Sequence, residues 1–538
     1  MYAWVILPAW IAAVVLAVVP LAHDAFDPVK GVVLAAGAVL CLPIAAVRLL
    51  RSGVAEPTPP WVWALGAVAV WAISMPGSLY AAYPRHILGA FRLVALTVAT
   101  GTTVIVSGTG RRTMLLRTWV GIGCTQAVLV LLQASGLDPF VLWAGSGEPW
   151  RVYGTIGNPN LVAALLVPAC LLGRSPALVP HRAMRYFGCA IMTAAVVATG
   201  SRAGAVILAG GLGAATLLDE PVARRSTKNL MLLLAGIAGL VVGAFSVAAW
   251  MGKGIGSVGG RRVFLLAAWQ LIRRRPWIGY GMDGFAAAYP AGSALIAGAE
   301  TIPMALPERV HNDWIELAVE LGVLPAIGLA VVVVWVLWYA WTHGARYLVF
   351  PIGAMALQAA WDWPLHVAPS ALFFWMLIGA VPYRGSKVGS SPVKARRGLA
   401  AMVLALSIVT LTGMRMHIDL IRAHRLSAEA FTVALDDDWE AATRNWRLAW
   451  ELAPSEGEFA YWLAQGVALE GDRAAALELV RQAQLTYRRF DLYLLHARLA
   501  RSQGNDDEAQ AVLRTAVAAF PAFTAARAML EQYANEVE

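Results

Sequence analysis

The chain has 538 residues, of which 59% are apolar and 14% charged, and its mean hydropathy is +0.63. A soluble protein of this length carries nearly twice that charged share, so the composition excludes the ordinary soluble classes and implies a polytopic helical membrane protein. The net charge of +9 divides unevenly, +16 over residues 1–416 and −7 over residues 417–538, which marks a basic membrane part and a separate acidic tail.

Apolar runs separated by short basic loops predict thirteen spans. They lie at about 3–20, 31–50, 61–75, 88–108, 114–136, 158–173, 186–200, 204–218, 229–250, 318–341, 346–361, 369–383 and 398–415. The first run has no small-residue cleavage site after it and reads as a retained helix. Cys41, Cys124, Cys170 and Cys189 fall in or beside these runs without paired spacing and read as small core residues. With the N-terminus inside, the inner loops hold 17 Lys and Arg residues, against four in the short outer loops, Lys30, Arg85, Arg151 and Arg202. That excess sets the orientation. It puts residues 251–312 and the tail on the outer face, the periplasm of a diderm bacterium.

Possible chemistry appears in five places. Arg92 lies just inside the fourth span, where a charge is a functional candidate by default. In Arg151-Val152-Tyr153-Gly154-Thr155-Ile156-Gly157-Asn158-Pro159-Asn160, the two asparagines either cap a helix or bind a sugar or diphosphate. Arg202, in the turn Thr199-Gly200-Ser201-Arg202-Ala203-Gly204, is either a snorkelling interfacial arginine or part of a diphosphate cradle.

Residues 260–275 form a basic amphipathic helix with Phe264, Leu265, Ala268, Leu271 and Ile272 on one face. Such a helix lies flat on a membrane and offers its arginines to anionic lipid. Arg261 and Arg262 open it, and the choice of diphosphate ligand between them stays open. After the break at Pro276-Trp277-Ile278-Gly279-Tyr280-Gly281, the chain returns with His311-Asn312-Asp313-Trp314-Ile315-Glu316-Leu317-Ala318-Val319-Glu320-Leu321-Gly322. His311 is either a structural residue at a helix start or a general base. Asp313 and Glu316 either orient it or favour the helix's first turn. No Walker motif, zinc spacing or dinucleotide fingerprint occurs, so no metal, cofactor or nucleic acid partner is expected.

The tail repeats itself. Asp438-Trp439-Glu440, Asp472-Arg473-Ala474 and Asn505-Asp506-Asp507 open equivalent helices 34 and 33 residues apart, with Gly471 and Gly504 ahead of the later two. The period resembles tetratricopeptide repeats, which stack into an α-solenoid. Its concave face serves either a periplasmic protein partner or a structural role. The expected fold is therefore all-α, with a membrane bundle over 1–416 and a repeat domain over 417–538.

Four of these motifs in order, at 151–160, 201–204, 260–281 and 311–322, resemble the O-antigen ligase/polymerase superfamily over roughly residues 60–385. The resemblance implies a multi-pass protein of the bacterial cytoplasmic membrane. It implies transfer of a glycan from an undecaprenyl-diphosphate carrier to an acceptor hydroxyl, with inversion and without metal. Arg202 and Arg261 would bind the diphosphate and His311 would be the base. Leu265 stands where the family often has an aromatic residue, which leaves the register of Arg261 and Arg262 undecided. The acceptor is a lipid-linked core sugar, another glycan or a protein hydroxyl. A carrier or flippase of lipid-linked glycans is the rival reading.

Overall fold

The computed structural model describes residues 3–18, 27–51, 59–74, 85–106, 109–140, 152–219, 256–296, 307–383, 393–454, 456–487 and 489–535. Among them every regular element is helical. The first eight helices are α1 (Ala3–Leu16), α2 (Asp27–Arg51), α3 (Pro60–Ser74), α4 (Arg85–Val106), α5 (Thr109–Ala134), α6 (Pro159–Gly173), α7 (Arg182–Ala198) and α8 (Arg202–Asp219). There follow α9 (Gly256–Arg274), α10 (Phe285–Ser293), α11 (Asp313–Leu321), α12 (Val323–Thr342), α13 (Arg346–Ala359), a 3-10 turn (Pro364–His366) and α14 (Ala368–Gly379).

Twelve of the thirteen expected spans coincide with a helix, while the ninth, 229–250, lies outside the described residues, as does Arg151. Thirteen crossings are more than the helix lengths establish. Residues Gly110–Ala134 of α5 and the whole of α12 are long and apolar enough to cross a bilayer. The 12-residue α14 reaches only about 18 Å, well short of the ~30 Å hydrocarbon layer.

That short helix is the centre of the bundle. All of α14 is buried, and in α6 every residue except Asn160 is buried, as expected of helices that are apolar all round. Trp119 of α5 stacks on Phe373 of α14 with ring centroids 4.1 Å apart.

α9, α10 and α11 build a second, smaller core from Ala267, Ala268, Leu271, Phe285, Tyr289 and Val319. The face of α9 expected to meet lipid therefore packs largely on protein, while Leu265, Leu266 and Trp269 are exposed. The motif Pro276–Gly281 crosses the break between α11 and α12. Tyr280 N and Gly281 N donate to Val319 O and Glu320 O, each at 2.9 Å, and Trp71 Nε1 donates to Leu321 O at 3.0 Å. These carbonyls are the ones a helix end leaves without intrahelical partners. The crossing needs glycine on both sides. A Cβ on Gly279 (φ 63) would lie 2.3 Å from Glu320 O, and one on Gly322 (φ 91) 2.3 Å from Trp277 O.

The last expected span is part of α15 (Val393–Leu435), a continuous helix of 43 residues packed on α2 and α4. Its far end pairs with α16 (Trp439–Leu452). Further pairs follow, α17 (Gly457–Leu469) with α18 (Arg473–Thr486), and α19 (Phe490–Ser502) with α20 (Asp506–Ala519), before the closing α21 (Thr524–Asn535). The repeat is visible in the backbone. Asp437, Gly471 and Gly504 all have left-handed φ, at 61°, 98° and 77°. The next residue donates back to Val433, Val467 and Ala500 at 3.1, 3.2 and 3.0 Å. α20 touches α10, so the tail folds back onto the segment that follows α9.

Candidate active site

The loop 360–366, between α13 and α14, is tied to the start of α11 by hydrogen bonds from both chains. Asn312 caps α11 by accepting from Ile315 N at 3.1 Å, and its Nδ2 donates to Ala360 O at 2.9 Å. Asp313 N donates to Asp362 O at 3.2 Å, and Asp313 Oδ2 accepts from Leu365 N at 2.8 Å. This seam brings two histidines of opposite character together.

His311 is on the accessible side. Its φ of 62° is in the left-handed region, which a histidine occupies only when its surroundings hold it there. Nδ1 lies 3.2 Å from Asp362 Oδ1. An ionised carboxylate only accepts, so Nδ1 carries the hydrogen and the neutral ring keeps a lone pair on Nε2. Phe264 stacks against the ring with centroids 6.0 Å apart, and Trp363 meets it edge-on at 4.4 Å. Arg261 completes the group, donating to Trp361 O at 3.1 Å, with Nη2 4.0 Å from Asp362 Oδ2.

His366 is on the closed side, 3% exposed. Nδ1 is 2.5 Å from Asp313 Oδ1 and Nε2 3.1 Å from Glu320 Oε2. Burial alone would lower its pKa, but Glu316, Glu320 and Asp313 together hold it well above the usual histidine value. Burial pushes Asp313 up to about 6 against the pull of His366. Arg309 extends the network to Asp283 at 2.5 Å and Glu316 at 3.1 Å. Burial would raise Asp283, yet Arg309, Arg92 and His366 keep it below the usual carboxylate range. Asp283, Glu320 and His366 bring ligand-type atoms within 4.8 Å of one another. With Arg309 against Asp283 and both ring nitrogens facing carboxylates, that trio is arranged as an ion-pair network.

The sequence candidates fall into separate places. Arg261 and His311 meet at Asp362, whereas Arg262, one residue on, is exposed. Arg92 donates to His366 O and so anchors the buried network. Asn158 caps α6 by accepting from Asn160 N at 2.9 Å. The loop before it is held by Gln133, whose Oε1 accepts from Tyr153 N at 3.1 Å and Gly154 N at 2.8 Å. Arg202 opens α8 after a turn in which Ser201 Oγ accepts from Gly204 N at 3.3 Å. Gly204 lies against Ala163, which sets the first turns of α8 and α6 side by side.

Asp362, His366, Arg309 and Trp363 are the residues that the sequence reading passed over. Their signal was present in Trp361-Asp362-Trp363-Pro364-Leu365-His366, two ionisable groups and two tryptophans in a short loop between apolar runs.

No curated protein matches the chain in a sequence comparison. Among solved structures the chain is similar to the crystal structure of the APC/C hetero-tetramer Cut9-Hcn1. Identity is 12%, coverage is 94% of this chain and 90% of that one, and the TM-score of 0.20 is too low to bear on the fold. Residues 187–330 match the family described as O-Antigen ligase, a stretch that contains Arg202, Arg261 and His311. Over that stretch, about a quarter of its length, the chain is similar to the O-antigen ligase family.

Proposed function

We propose that the protein transfers a glycan from a polyprenyl-diphosphate carrier, undecaprenyl diphosphate in bacteria, to an acceptor hydroxyl at the outer face of the bacterial inner membrane. The tail lies in the periplasm and the bundle crosses the membrane many times, thirteen in the reading above. The observation that carries the mechanism is the His311–Asp362 pair with Arg261 beside the same carboxylate. The acceptor oxygen attacks the anomeric carbon, and its proton passes to His311 Nε2. The bond from that carbon to the diphosphate breaks from the opposite face, inverting the centre. The diphosphate leaves with the electron pair, and Arg261 and Arg202 offset its growing charge, chiefly in the transition state. Asp362 keeps the ring in the right tautomer and stabilises the imidazolium that forms. Arg262 and Arg151 supply charge for anionic lipid near the carrier, and Asn160 a polar contact at the first turn of α6.

The left-handed backbone at position 311 decides which variants are informative. Asn tolerates that conformation better than Ala or Gln, so His311→Asn is expected to fold. Purified protein is incubated with polyprenyl-diphosphate glycan and acceptors. Wild type is expected to transfer, and His311→Asn and Asp362→Asn to lose roughly 10²–10⁴-fold in turnover at unchanged melting temperature. Near wild-type transfer by His311→Asn would sink this reading.

A further inference from the structure

A cleft of about 260 Å³ opens next to Trp363, lined by Lys30, Asn158, Glu308, Arg309 and His366. We propose that this cleft is the acceptor subsite and that it takes a neutral sugar ring, an inference that rests on the function proposed above.

Three observations carry it. The first is position. The His311 ring meets both Phe264, on the helix of Arg261, and Trp363, which lines the cleft. The Trp363 indole is thus a wall shared by the cleft and the proposed base, which sets an acceptor seated in the cleft beside the ring that would take its proton.

The second is charge. The cations in the lining are already engaged, two of them by carboxylates. Lys30 donates to Val15 O at 3.2 Å and to Ala17 O, Arg309 faces Asp283 and Glu316, and His366 faces Asp313 and Glu320. An anion entering here would compete with the carboxylates that hold Arg309 and His366 and would meet Glu308 at the rim, so a second diphosphate site is disfavoured.

The third is the hydrogen-bonding inventory. Asn158 spends Oδ1 on its cap to Asn160 N, which leaves the two N–H groups of Nδ2 for a ligand. Glu308, exposed at the rim, supplies acceptor oxygens. Planar donors and acceptors beside an indole suit a pyranose, whose hydroxyls both give and take hydrogen bonds and whose C–H face packs on an aromatic wall. A serine or threonine in a peptide offers no such ring.

The test separates the acceptor from the carrier. Asn158→Ser keeps a capping oxygen and removes the amide donors, and Glu308→Gln keeps the shape and removes the charge. Each full-length variant is assayed for transfer with glycan acceptor and carrier varied independently. Binding of carrier-free neutral oligosaccharide is followed by saturation-transfer NMR on the same samples. The expected result is a KM for glycan acceptor raised about tenfold or more, an unchanged KM for carrier, and weaker oligosaccharide binding. A raised KM for carrier alone would overturn the proposal, as would transfer to a serine peptide that is as sensitive to the two changes as transfer to sugar. Oligosaccharide binding that both variants weaken, in a protein that transfers nothing to any acceptor, would uphold the sugar subsite and reject the catalytic reading.

Discussion

His366 and His311 lie in one short seam, yet their surroundings assign them opposite duties. His311 has one carboxylate and an open ring nitrogen, whereas His366 has carboxylates at both nitrogens and no exposure to speak of. Removing one partner of a buried ion network leaves the others uncompensated, at a cost of roughly 3–5 kcal/mol. His366→Gln should therefore lower stability by about that much. The pH dependence has a definite sign. His366 and Asp313 both hold their protons more tightly in the folded state than in the unfolded one. Their contribution is complete below the unfolded values and is lost as pH rises, through about 6 for Asp313 and through a point above the usual histidine value for His366. Thermal unfolding from about pH 5 to about pH 9 should show the melting temperature falling on the alkaline side, and a flatter profile in His366→Gln. A wild-type melting temperature that rises across that range would contradict the assignment of His366 as an imidazolium.

The elements that position the site are held by close backbone approach as much as by side chains. Gly279 and Gly322 let the 276–281 segment cross the break between α11 and α12, with no room for a methyl group on either. Gly279→Ala adds a contact with Glu320 O and a left-handed φ that alone costs roughly 1–3 kcal/mol. It should lower the melting temperature and slow transfer by displacing Asp313 and His311. Ala at Gly328 of α12, where nothing lies within 4 Å of the added carbon, is the control and should change neither. Equal behaviour of the two variants would remove the crossing from the account. This level of organisation was partly legible in the chain. The helices followed from apolar runs, and the repeat followed from its 34- and 33-residue period, later seen as left-handed residues at 437, 471 and 504. Asp362 was not legible as a partner of His311, because the pairing joins residues 51 apart through the packing of α13 and α11. Arg92 looked like an isolated intramembrane charge because its acceptor, the His366 carbonyl, is 274 residues away. The amphipathic face of α9 had the right period, but periodicity cannot say whether lipid or α10 covers it.

At the scale of the whole molecule, bundle and repeats share α15. His417 on this helix packs against Gly31 of α2, while Ala423, less than two turns further on, sits in a cluster with Ala449 and Phe459 of the repeats. No flexible linker separates the two surfaces, so the helix acts as a dial. Each residue inserted after Leu420 would turn the tail by about 100° and advance it by about 1.5 Å. Two residues would swing α20 to nearly the opposite side of the axis, away from α10. Seven would return it to within about 20° of its starting angle while lifting it by some 10 Å. Hydrogen exchange at residues 285–293 should accordingly lose protection with the two-residue insertion, and protection unchanged from wild type would mean that α10 is ordered without the tail. If the phase matters, the tail's azimuth is a heritable setting. Lineages could then lengthen α15 only in steps close to whole turns, or else give up the seat of the repeats against α10.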